Sequence, residues 1–113
     1  MSLQVIISKT NEEIEVRSVE GQQDIYDIAG NEAITLEMIP ELDIYALVTE
    51  GQYEEADYKM KSKDFGDLTN KYSLKGTSVL LALDSKGNYS SLTDMQVEAV
   101  RQLQEEQGGL INK

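Results

Sequence analysis

The sequence predicts an α+β domain: a mainly antiparallel sheet of about five strands with a short helix and a C-terminal helix packed on it. Three observations lead there. Short segments in the first half alternate apolar and polar residues with period two, Val79 to Leu83 is an unbroken apolar run, and Thr93 opens a stretch with helical spacing behind a complete capping signal. At 113 residues the chain is long enough for one core and too short for two, so 1–113 reads as a single domain.

The elements follow in order. Leu3 to Ser8 is β-branched and apolar, and Glu13 to Val19 alternates, with Ile14 and Val16 on one side and Glu13, Glu15 and Arg17 on the other. Together they predict a hairpin with one wet face. Ile25, Ile28 and Ala29 then fall at i, i+3 and i+4, the stripe of a short helix that Gly30 can end. Ile34, Leu36 and Met38 alternate up to Pro40, which has no amide hydrogen to give a ladder, and a further strand runs from Leu42 to Thr49.

Residues 52–75 carry Tyr53, Tyr58, Phe65 and Tyr72 among polar groups without sustained periodicity. They read as a long loop, of a kind that is commonly mobile or functional. Thr77 to Leu83 reads as a central strand covered on both faces. In the last helix Thr93 caps the amides ahead of it, Gln96 reaches back, and Leu92 staples onto Val97, while Val97, Val100 and Leu103 form the buried stripe. Gly108 and Gly109 stop it, and residues 108–113 are expected to fray.

Composition removes whole classes of chemistry. The chain has no cysteine and no histidine, so thiol nucleophiles, disulfides, His-dependent triads and His-ligated zinc are excluded. No catalytic residue, cofactor or metal site is expected. Asp84, Asn88 and Asp94 suggest a calcium loop only at first sight: counted from Asp84, Lys86 takes the third position, Tyr89 that of the required glycine, and Met95 that of the bidentate glutamate. Gly66, Gly76 and Gly87 are isolated and form no phosphate-binding pattern. No apolar run is long enough to span a membrane and no signal peptide is evident, so a cytoplasmic location is expected.

Net charge is −11, which argues against a direct nucleic-acid binder. The distribution is uneven. Residues 1–57 hold 14 acids and two bases, whereas 58–76 hold two acids and five lysines. Two surfaces are therefore candidates for contact with another protein: an acidic set, Glu13, Glu15, Asp24, Asp27, Glu32, Glu37 and Glu41, and the basic, aromatic segment Tyr58, Lys59, Lys61, Lys63 and Phe65. Lysines so placed also suit an exposed edge, where they discourage strand pairing between molecules. Carboxylates in a rigid row would imitate the phosphates of duplex DNA, which makes a DNA-mimic inhibitor of a basic DNA-binding protein one alternative. A small-ligand or carboxylate-dependent enzymatic domain, with a pocket lined by Tyr45, Tyr72 or Tyr89, is another, and a homo-oligomer a third.

The layout also resembles a family of small proteins of unknown function encoded by phages, plasmids and integrated elements of bacteria. The features that carry this are Ile28-Ala29-Gly30-Asn31 between helix and strand, the strand end Glu50-Gly51, and Asn70-Lys71. Gly76 before the apolar run and Asp84 to Gly87 with Ser91-Leu92-Thr93-Asp94 complete the set. Two departures stand out: Asn31 where a second glycine is common, and a longer, more charged stretch from Gln52 to Asp67. The resemblance implies an accessory protein of a mobile element and supplies no catalytic residues.

Overall fold

A run of five apolar residues needs cover on both sides, and the chain arranges itself around that need. A computed structural model describes residues 2–10 and 12–106, apart from the side chains of Tyr58 and Glu106. Its elements are β1 (Leu3–Ser8), β2 (Glu15–Val19), α1 (Gln22–Ala29), β3 (Ile34–Ile39), a 3-10 turn (Pro40–Leu42), β4 (Ile44–Val48), β5 (Tyr53–Ser62), β6 (Gly66–Leu74), β7 (Ser78–Leu83), β8 (Tyr89–Ser90) and α2 (Asp94–Glu106). The fold is α+β. The main sheet runs β2-β1-β7-β4-β3, antiparallel throughout, with the short β8 added to β7. These five are the strands the sequence predicts. The expected end of the last helix at Gly108 and the fraying of 108–113 lie outside the described residues.

β7 sits at the centre, and its alternation splits the core in two. Leu80 and Ala82 join Ile6, Ala46 and Val48 on one face, under α2 (Val97, Val100, Leu103) and the inner side chains Met60, Leu68 and Leu74. Val79 and Leu81 join Val5 and Leu47 on the other, covered by Ile25 and Ala29 of α1. Each fully buried leucine or isoleucine contributes about 1.5–3 kcal/mol, so both layers are needed to hold the middle strand dry. Ser8 and Ser78 stand opposite one another in the β1–β7 register. Both are buried, and neither hydroxyl has a hydrogen-bond partner among the described residues.

The helix boundaries follow local chemistry. Gly30, at φ 108°, donates its amide to the Tyr26 carbonyl at 2.8 Å and closes α1 in a conformation that L side chains rarely adopt. At α2 the Thr93 amide donates to Gln96 Oε1 (2.7 Å) and the Gln96 amide donates to Thr93 Oγ1 (3.2 Å), the reciprocal box expected from sequence. Gln96 also donates through Nε2 to the Leu42 carbonyl at 2.8 Å, tying the helix to the 3-10 turn.

Residues 52–75 are not a loop. β5 and β6 form a separate two-stranded antiparallel hairpin, closed by residues 63–65 with Gly66 at φ 76°. The register explains why periodicity is hard to read there. A bulge between Glu55 and Tyr58, with Asp57 at φ 47°, breaks the alternation of β5. In β6 the buried positions Leu68, Asn70 and Leu74 include a polar residue, so the inner face does not look apolar on paper.

Candidate functional site

Most of the basic segment 58–76 falls within this hairpin, and the fold divides its lysines into two groups. Lys59 Nζ lies 3.9 Å from Glu41 Oε2 and donates to Thr69 Oγ1 at 3.2 Å. Lys71 reaches Glu37 on β3 at 3.8 Å, and Lys75 reaches Glu54 at 2.7 Å. Glu41 is held further by Thr69, whose amide and hydroxyl both donate to its carboxylate. The hydroxyl first, then the amide, with Lys59 adding attraction, keep the Glu41 carboxyl below the ordinary glutamate range. Lys75 does the same for Glu54.

Lys61 and Lys63 are different. Both are exposed, and neither forms an ion pair among the described residues. They line a groove of about 300 Å³ between the hairpin turn and α2, together with Asp64, Glu98, Gln102 and Glu105. Gln102 fixes its floor. Its Oε1 accepts from Ser62 Oγ at 2.5 Å and from the Asp64 amide at 3.2 Å, while its Nε2 donates to Asp64 Oδ2 at 2.7 Å. Phe65 is half-buried against the core and serves packing rather than contact. The Tyr58 backbone pairs with Asn70; its side chain lies outside the described set.

The acidic set does not form one row. Glu15 pairs with Arg17 at 2.6 Å on β2, at one edge of the sheet, whereas Glu37 lies on β3 at the opposite edge. Asp24 and Asp27 belong to α1, where Asp24 accepts from the Glu20 amide and Asp27 from Gln23 Nε2, both at 2.9 Å. Glu13 and Glu32 are exposed in connections, and Glu41 is engaged by the hairpin. Mimicry of duplex DNA needs a contiguous line of charge, and these residues are spread over two sheet edges, a helix and the connections between elements.

The three tyrosines expected around a pocket are also separated. Tyr72 packs edge-on against Tyr53 in the hairpin, with ring centroids 5.6 Å apart. Tyr45 and Tyr89 belong to the α1 side of the sheet. Tyr89 lines a recess of about 470 Å³, shared with Leu3, Gln22, Thr35, Gly87 and Asn88, while Tyr72 lines a smaller one of about 160 Å³ with Glu55, Asp57 and Lys71. The Tyr89 hydroxyl is 3.3 Å from that of Tyr26, which also accepts from Gln22 Nε2 at 3.2 Å. The turn beneath Tyr89 is ordered by Asp84, whose Oδ1 accepts the Lys86 and Asn88 amides, both at 2.9 Å. Those bonds, the Asn88 amide first, hold its carboxyl below the usual aspartate range.

Sequence reasoning did not single out Gln22, Thr35 or Gln102, and weighed Asn88 only as a calcium ligand, since uncharged polar residues carry no pattern until the fold brings them together. Compared with protein-family models, with curated proteins and with solved structures, the chain gives no match. No helix among the described residues is long and apolar enough to cross a membrane.

Proposed function

We propose that this protein is a non-enzymatic accessory protein of phage or mobile-element type, working in the cytoplasm by binding another protein at the groove between the hairpin turn and α2. The supporting observation is the division of the lysines: Lys59, Lys71 and Lys75 each lie beside a carboxylate, while Lys61 and Lys63 form no ion pair among the described residues and line the groove with Glu98 and Glu105. A surface with cations on one wall and carboxylates on the other suits a partner segment bearing both charges, and charge of this kind sets specificity and association rate.

The test is affinity capture from host lysate at low and moderate salt, comparing the native chain with a Lys61→Glu/Lys63→Glu variant. The reading expects reproducible partners that the native chain holds best at low salt and that the variant loses at unchanged melting temperature. No reproducible partner for the native chain, or the same partners for the variant, overturns it.

A further inference from the structure

The recess at Tyr89 lies on the α1 side of the sheet, away from the groove, and its lining is unlike the rest of the surface. In a chain of net charge −11, none of Leu3, Gln22, Thr35, Gly87, Asn88 and Tyr89 is an acid or a base of the ordinary charged kinds. We infer that this recess binds a neutral, polyhydroxylated small molecule of sugar size.

The chemistry of the lining argues for that class. The Gln22 and Asn88 amides and the Thr35 and Tyr89 hydroxyls each offer both a donor and an acceptor, which is what an alcohol hydroxyl presents in return. A carboxylate or phosphate would find no cation here and a repulsive overall field; an ammonium would find no carboxylate in the lining. Leu3 and the half-buried ring of Tyr89 supply apolar wall against which the C–H face of a sugar ring can lie. Nothing stands within 4 Å of where a Cβ on Gly87 would point, and φ there is 82°, so the backbone borders open space. The volume of about 470 Å³ lies within the range of small-molecule sites.

The polar groups are also positioned in advance. The Tyr26 and Tyr89 rings meet edge to face with centroids 6.2 Å apart. Bonding from Tyr89 and then Gln22 lowers the Tyr26 phenol, while burial and then the bond to Tyr26 raise that of Tyr89, with Thr35 acting in the opposite sense on Tyr89. The Tyr89 hydroxyl is thus held beside that of Tyr26, 3.3 Å away, with Thr35 as a further neighbour. A ligand hydroxyl entering beside Thr35 meets side chains already in place, which lowers the ordering cost of binding.

The test is titration of the isotope-labelled chain with D-glucose and with N-acetyl-D-glucosamine, each against gluconate as the anionic counterpart, read from the backbone amides of Gly87 and Asn88 and the side-chain amides of Gln22 and Asn88. The inference expects saturable shifts at these signals from at least one neutral sugar, with a dissociation constant in the millimolar range, and none from gluconate. Tyr89→Phe keeps the ring and removes one hydroxyl, and Gln22→Ala alters an exposed position at the start of α1; each is expected to weaken binding about tenfold at unchanged melting temperature, the equivalent of one hydrogen bond. No saturable shift from either sugar, equal binding of gluconate, or full affinity in Gln22→Ala overturns it. The Lys61→Glu/Lys63→Glu variant is expected to bind the sugar as the native chain does, which separates this site from the groove.

Discussion

Thr69 gives both its backbone amide, at 2.9 Å, and its hydroxyl, at 2.6 Å, to the carboxylate of Glu41. The bond crosses between layers: Glu41 lies in the 3-10 turn that follows the edge strand β3, and Thr69 lies on β6 of the hairpin. The hairpin is thus seated on the body of the fold by a two-point hydrogen bond with a lysine beside it. Removing the carboxylate with Glu41→Ala is expected to cost about 1 kcal/mol, an estimate kept low because the side chain is partly open to solvent. Urea denaturation checks the value, and Glu41→Gln, which keeps one acceptor, is expected to fall between.

The same contact has a pH dependence whose sign is fixed. The Glu41 carboxyl is lowered in the folded chain, so its contribution is fully present above the unfolded-state value and is lost as pH falls through the folded one. Acidification is therefore expected to lower the hydrogen-exchange protection factor of the Thr69 amide only below the ordinary glutamate range, while amides of β7 stay protected. A protection factor for Thr69 that changes near neutral pH contradicts this assignment.

The cap of α2 offers a comparison within one motif. Thr93→Ala removes one side-chain acceptor and is expected to cost about 1 kcal/mol. Gln96→Ala removes the return bond and also the donor to the Leu42 carbonyl, so it is expected to cost more than Thr93→Ala. Denaturation of the two variants under one set of conditions gives the order directly.

Two substitutions at the centre of the sheet are expected to act in opposite directions. Leu80→Ala empties a fully buried position between Ile6 and Ala46 and is expected to cost about 2–5 kcal/mol. Ser78→Ala removes a buried hydroxyl that has no hydrogen-bond partner among the described residues, so it is expected to leave the melting temperature unchanged or raise it.

The sequence made the main sheet readable wherever local chemistry and tertiary packing agree. β1 shows as a β-branched run, β7 as an apolar stretch, and α2 as a capping box with its staple, because each pattern is a direct demand of the layer it belongs to. The hairpin was opaque for a physical reason: the bulge at Asp57 shifts the alternation of β5, and Asn70 puts a polar side chain on the inner face of β6. The charge reversal at 58–76 was visible, but its meaning depended on Glu37 and Glu41, residues far enough back in sequence that no local window joins them to Lys71 and Lys59. The acidic set illustrates the converse, since its members are prominent in sequence and separate in space. The recess was half legible. Tyr89 stood out, whereas Gln22 and Thr35 become meaningful only when α1, β3 and the Asp84 turn meet.

The account depends most on the hairpin being a seated element, with Lys59 and Lys71 committed to the body and Lys61 and Lys63 left for a partner. Backbone ¹⁵N relaxation over Tyr53 to Leu74, in the native chain and in a Glu37→Ala/Glu41→Ala variant, tests this most directly. The prediction is order parameters near the rigid value of about 0.85 through both strands of the native hairpin, falling in the variant while β7 is unaffected. Values below about 0.6 across the native hairpin, or a variant whose hairpin is as rigid as the native one, contradict it.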